Sequence, residues 1–237
     1  MTWQRTFLAS SVAAIVLFPE KIYLPFMAVS IYYSVFDTPL PEDRFERLLA
    51  VLPEQARRKV LRFHRWQDAH ASLLGKHLLL HAFAQLGLSA DLETILYTPS
   101  GRPYWPGGPD FNISHSGNMV VCAVDTSGRV GIDIEQNGGI EIADFREQFT
   151  PAEWQQVMGA SDPVWQFYQY WTMKEATAKA NGIGIVELPA VHILSDTAVA
   201  LQGFTWTLTP VALLDTYAGH LATESSPATV SIEEIRF

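Results

Sequence analysis

Asp133 and Glu135 stand two residues apart, the first inside and the second directly after Val130 to Ile134, a segment that reads as a strand. Side chains two apart on a strand project from the same face, so these carboxylates can share one hard cation. Ile132 and Ile134 flank them, which leaves a single coherent polar face. Two solvent-facing acids on a half-exposed strand would carry the same pattern. A second group lies in Trp171 to Lys179, where Trp171, Glu175 and Lys179 recur every four residues and stack on one helical face. If Glu175 faces the strand pair, a third carboxylate completes a magnesium site whose remaining positions go to water and substrate phosphates. The alternative is an intrahelical Glu-to-Lys pair worth about 0.2–0.5 kcal/mol. The third group is Phe111 to Gly117, an apolar strand running into a polar turn that ends in glycine. Such a turn exposes His115, which can donate hydrogen bonds to phosphate. Ser114 and Ser116 adjoin that histidine but lack the Gly-x-Ser-x-Gly elbow, so a Ser-His-Asp hydrolase is discounted.

These side chains need two lobes to hold them. Ala28 to Val35 reads as a strand and Asp37 to Pro41 as a break. Helical spacing follows over Asp43 to Leu52, Glu54 to Arg65 and Asp68 to Leu86, the last with Ala69, Leu73, Lys76, Leu80 and Phe83 along one edge and Gly87 as its stop. Short strands are expected at Ile95 to Tyr97, Phe111 to Ile113, Val120 to Val124 and Val130 to Ile134. Gly138-Gly139 opens a loop or flap up to Glu147. Thr150-Pro151-Ala152-Glu153 reads as a capped helix start, and Val164 to Asn181 as a long helix ended by Gly182. Phe204 to Leu208, Val211 to Leu214 and Val230 to Ile235 complete the strands. Each half thus pairs a long helix with short strands. The expected fold is α+β, with two similar lobes in pseudo-twofold arrangement. Each lobe is a small, mostly antiparallel sheet packed with a long helix, and the site lies between them. The expected division is an N-terminal extension over 1–26, one lobe over 27–126 and a second over 127–237.

The formal net charge of -9 over 237 residues argues against a nucleic-acid binder, whose affinity comes from Lys and Arg on phosphates. The single cysteine, Cys122, sits in an apolar run and is expected to pack as a small hydrophobe, in keeping with a cytoplasmic protein. Phe7 to Phe18 follows Arg5 and resembles the start of a signal peptide, but it is too short to span a bilayer, and no clear cleavage site follows. Membrane association is therefore not expected, and Met27 offers an alternative start.

Gly101-Arg102-Pro103, Phe111 to Gly117, Gly131 to Glu135 and Trp171 to Lys179, in this order and separation, resemble the surfactin-synthetase type of 4′-phosphopantetheinyl transferase. The likeness spans Arg57 to Gly184. It implies that Asp133, Glu135 and Glu175 are ligands of Mg2+, and that His115 and Lys179 meet the phosphates of coenzyme A, the co-substrate. It places Lys59, Arg62, Arg102 and Ser114 at the 3′-phosphate and adenine end, with His70 and Ser72 as further candidates. The implied reaction moves phosphopantetheine to a serine of an apo acyl or peptidyl carrier protein, with Glu175, Lys179 and His115 as the catalytic set and a monomer as the acting form. Arg102 stands where the family often has lysine, Ala56 where a further basic residue is common, and Gln136 where lysine is common.

Two other readings stay open on the residues. A metal-dependent nuclease also gathers carboxylates and lysine around magnesium, although the acidic balance opposes it. An inactive relative that binds carriers without modifying them is the other. Ile140 to Trp154, with Phe145, Phe149 and Arg146, is expected either to anchor a partner helix or to pack on its own lobe.

Overall fold

A computed structural model describes residues 28–89, 91–227 and 229–237. The signal-like stretch and the Met27 start lie outside the described residues. The first lobe begins with β1 (Ala28–Val35), followed by α1 (Glu42–Val51), α2 (Glu54–Val60) and the long α3 (Trp66–Gln85). Then come β2 (Leu96–Tyr97), β3 (Pro103–Tyr104), β4 (Asp110–Ser116) and β5 (Met119–Asp125). The second lobe holds β6 (Val130–Gln136), α4 (Pro151–Gly159), α5 (Pro163–Asn181), β7 (His192–Ser195), β8 (Ala198–Leu201), β9 (Phe204–Pro210) and β10 (Tyr217–Thr223), and β11 (Thr229–Glu234) ends the chain.

The strands form a four-stranded sheet, β11-β1-β5-β4, a five-stranded sheet, β6-β10-β9-β8-β7, and the small β2-β3 pair. All pairings are antiparallel except β1 with β11. This is the expected α+β architecture of two lobes, each with a long helix on its sheet. α3 packs its Leu74, Leu78 and Phe83 on the first sheet against Phe111 and Cys122. α5 lies on the second sheet over Val199, Trp206, Leu208, Ala218 and Ala222. The faces turned away from the helices pack on each other through Ile31, Val121, Ile132, Ile134 and Leu221.

Several elements carry their own causes. Gly117, at φ +56°, takes the first position of the two-residue β4–β5 turn, where a side chain would be strained. Thr150 and Glu153 form the reciprocal capping box that their spacing predicts, and Gly182 closes α5 in the left-handed conformation. α2 is shorter than expected: it stops at Val60, and Leu61 to Arg65 turn the chain into α3.

Two expectations fail. Val211 to Leu214 is a loop, and the strand lies later, at Tyr217 to Thr223. Tyr-Ala-Gly-His-Leu-Ala-Thr has no alternation because both of its faces are buried, one under α5 and one against the first sheet. Ser114 to Ser116 belong to β4 itself and not to a turn, so their side chains alternate between the two faces of the strand.

Candidate functional site

The edges of the two sheets meet at β4 and β6, and side chains join them there. Asp110 Oδ2 accepts from Val130 N at 2.8 Å, Asn112 Oδ1 from Ile132 N at 3.0 Å, and Ser116 Oγ from Gln136 N at 3.0 Å. Alternate β4 residues thus satisfy the N–H groups that a neighbouring strand would otherwise take. On β6 the odd positions Gly131, Asp133 and Glu135 face α5, while Ile132 and Ile134 are buried between the sheets. A Cβ on Gly131 would run into the backbone of Ala176 and Ala180, so the glycine allows α5 to lie close against β6.

That approach brings Trp171, Glu175 and Lys179 from α5, Asp133 and Glu135 from β6, and Ile113, Ser114 and His115 from β4 to one cleft. Lys179 turns across to the strand and does not form the intrahelical pair: its Nζ donates to Asp133 Oδ1 at 2.5 Å and to Ser114 Oγ at 3.0 Å. Ser114 Oγ in turn donates to the same Asp133 oxygen at 2.8 Å. Ser116 Oγ donates to Glu135 Oε2 at 2.5 Å. Ser116, discounted as a nucleophile, thus positions Glu135, and the strand alternation that puts it on the β6 side of β4 is the signal for that role. Thr172 meets His220 Nδ1 of β10 at 2.8 Å, and burial pushes that imidazole down to about 4, so it stands neutral and braces α5.

The charge in the cleft is poorly compensated. Burial, then repulsion from Asp133, pushes Glu135 and Glu175 up to about 7. Burial alone would lower Lys179, but the Asp133 charge and hydrogen bond, with Glu175 and Glu135, outweigh it and hold the ammonium above its usual range. His115 has an exposed edge yet is held below its usual value, by burial first and the Lys179 charge next. Asp133 Oδ2 is buried without a hydrogen-bond partner. An orphaned carboxylate oxygen beside two reluctantly ionised carboxyls is the donor chemistry a hard divalent cation takes. Among the described residues, however, no three His, Cys, Asp or Glu side chains are gathered closely enough to hold an ion as they stand.

Other expected site residues lie elsewhere. Arg102 needs correction: its guanidinium is buried and fully engaged, with Asp110 at 2.5 and 3.0 Å, Lys179 O at 2.8 Å, Val130 O at 3.0 Å and Pro103 O at 3.4 Å. With all five N–H groups committed, it locks the lobes together and has no donor left for phosphate. His70 is likewise structural, since Nε2 accepts from Leu40 N and Nδ1 donates to Trp66 O. Lys59 is exposed on α2, its Nζ 3.1 Å from the Tyr97 hydroxyl and 4.3 Å above that ring, and Arg62 lies in the exposed turn that follows. Phe149 is buried and Phe145 packs on Phe167 and Trp171, so this segment lies on its own lobe and these rings are not free anchors. Lys174, fully buried, pairs with Glu153 of α4 at 2.9 Å and is no part of the cleft.

The family model described as the 4′-phosphopantetheinyl transferase superfamily matches residues 129–227, and that described as 4′-phosphopantetheinyl transferase, N-terminal, matches 38–127. A 4′-phosphopantetheinyl transferase of Bacillus subtilis is 39% identical over 186 residues, covering 73% of this chain and 81% of the relative. This chain belongs to the 4′-phosphopantetheinyl transferase superfamily. The 4′-phosphopantetheinyl transferase Sfp of Bacillus subtilis strain 168 is 35% identical over 185 residues, with the same coverage of 73% and 81%. A more distant member, the L-aminoadipate-semialdehyde dehydrogenase-phosphopantetheinyl transferase of Xenopus laevis, is 30% identical over 154 residues, 57% of this chain and 50% of that one. Superfamily membership makes the chain a phosphopantetheinyl transferase of the surfactin-synthetase type and sets the nuclease reading aside. No helix among the described residues is long and apolar enough to cross a membrane.

Proposed function

We propose that the β4–β6–α5 cleft transfers phosphopantetheine from coenzyme A to a serine of an apo acyl or peptidyl carrier protein, with Asp133, Glu135 and Glu175 holding Mg2+. The observation that carries this reading is the buried, partnerless Asp133 Oδ2 in the cleft that Glu135 and Glu175, both raised to about 7, also line. When bound, the ion would offset negative charge on the pyrophosphate oxygens. Lys179 and His115, at the mouth of the same cleft, meet the phosphates, while Ser114 holds Asp133 and Lys179 in place. Lys59 and Arg62 serve the 3′-phosphate end.

The carrier serine oxygen attacks the β-phosphorus in line. A bond forms from that oxygen to phosphorus, and the bond from phosphorus to the bridging oxygen breaks, releasing adenosine 3′,5′-bisphosphate with the electron pair. The serine proton passes to Glu175, which lines the same cleft as Lys179 and His115. The Lys179 ammonium offsets charge as it grows on the leaving phosphate. On this reading the chain acts as a monomer in the cytoplasm.

Intact mass of an apo carrier after incubation with the protein, coenzyme A and magnesium tests the proposal. The expected gain is about 340 Da, the phosphopantetheine adduct on serine. It should vanish with chelator and with Glu175→Gln. A gain that survives both controls would remove the metal and base assignments.

A further inference from the structure

A groove next to the catalytic cleft holds cationic charge that the described chain leaves unneutralised. Lys76 of α3 and Lys59 of α2 line it together with Tyr97, Leu79, Phe111 and Ile113. Ile113 also lines the catalytic cleft, so the two hollows adjoin across one side chain. Lys76 is half-buried. Its Nζ donates to Ser72 O at 2.8 Å and to Ser72 Oγ at 2.9 Å, both neutral acceptors one turn back on its own helix. Two of three ammonium protons are therefore committed and one is free. No carboxylate among the described residues forms an ion pair with Lys76 or with Lys59; Glu93, the acid on the rim, is exposed. Burial, and then the nearby Lys59 charge, pushes Lys76 down to about 8, as expected of a cation with no partner.

Two unpaired lysines, one of them half-buried, converging on a hollow beside the phosphate-handling cleft fit a doubly charged phosphate monoester. Arg102, the cation expected for that duty, has no donor left. We propose that Lys76 binds the 3′-phosphate of coenzyme A beside Lys59 and sets this chain's preference for the 3′-phosphorylated donor. The proposal rests on the transferase reading. The helical pattern marks Lys76 only as an edge residue of the central helix, and the position gains its meaning from the hollow that residues of α2 and β2 line with it.

The experiment compares coenzyme A with 3′-dephospho-coenzyme A as donors for wild type, Lys76→Met and Lys76→Arg, with thermal melting to confirm that each variant folds. Lys76→Met should raise KM for coenzyme A about tenfold, the effect of one lost charge-assisted hydrogen bond, and leave KM for the dephospho donor within about twofold. Lys76→Arg should recover most of the loss. Calorimetric binding of adenosine 3′,5′-bisphosphate against adenosine 5′-monophosphate gives a readout that needs no turnover, with the loss expected for the bisphosphate alone. Equal losses for both donors or both nucleotides, or no loss for either, would overturn the assignment. If wild type transfers from neither donor, the transferase reading fails, and the nucleotide comparison still decides the role of Lys76.

Discussion

Glu135 and Glu175 tie the stability of the metal-free protein to pH. Their folded pKa of about 7 lies above the unfolded value of 4.5, so between these values the folded state binds more protons. Their contribution is fully present below pH 4.5 and falls away as pH rises through 7. His220 works the other way: its folded value of about 4 lies below 6.5, so its contribution is lost as pH falls through that window. The difference between wild type and Glu175→Gln separates the two effects. In chelator, Glu175→Gln should gain melting temperature relative to wild type at pH 8 and lose that advantage at pH 4.5; a gain independent of pH would contradict the shift. At this scale the sequence is informative wherever one element supplies the geometry. The two-residue spacing of Asp133 and Glu135 and the four-residue spacing of Glu175 and Lys179 each fix a shared face. Spacing says nothing about which partner a charge meets after folding. Arg102 therefore looks like a phosphate ligand until Asp110 and three backbone carbonyls are seen to claim it.

Between elements, Gly131 controls the distance from β6 to α5. Gly131→Ala places a methyl group against the Ala176 carbonyl and the Ala180 backbone, and α5 must move. Overpacking of this kind costs about 1–3 kcal/mol, and an ångström of misplacement at a reacting centre lowers turnover about a hundredfold. Both a lower urea midpoint and a lower kcat are expected; unchanged kcat with full stability would show that the helix has room. Helices with caps are the legible elements: Thr150 and Glu153 announce α4, and Gly182 closes α5. β10 is not legible, because Ala218, Gly219 and Ala222 carry little strand preference and are selected by the tight space between α5 and the first sheet.

Across the whole molecule, the two-lobe plan follows from one long helix and several short strands in each half, but pairing between distant strands leaves no local mark. β11 is the example. After β10 the chain leaves the second sheet and lies parallel to β1, in register from Ala28 with Thr229 to Tyr33 with Glu234. Beyond it, Ile235 N bonds to Tyr33 O, and Phe237 packs near His77. Deleting residues 229–237 should remove several kcal/mol of stability, at about 1 kcal/mol net for each lost hydrogen bond, and uncover the β1 edge. A lower melting point with concentration-dependent aggregation is expected, and a variant that melts as wild type would show that the strand is dispensable. The parallel pairing also gives the protein a mechanical character. β1 enters the sheet at one end and β11 leaves it at the other, so tension drawn between these ends shears the pair. Its hydrogen bonds are then loaded together instead of unzipping one after another, and the outermost strand of the sheet acts as a clamp on the whole chain.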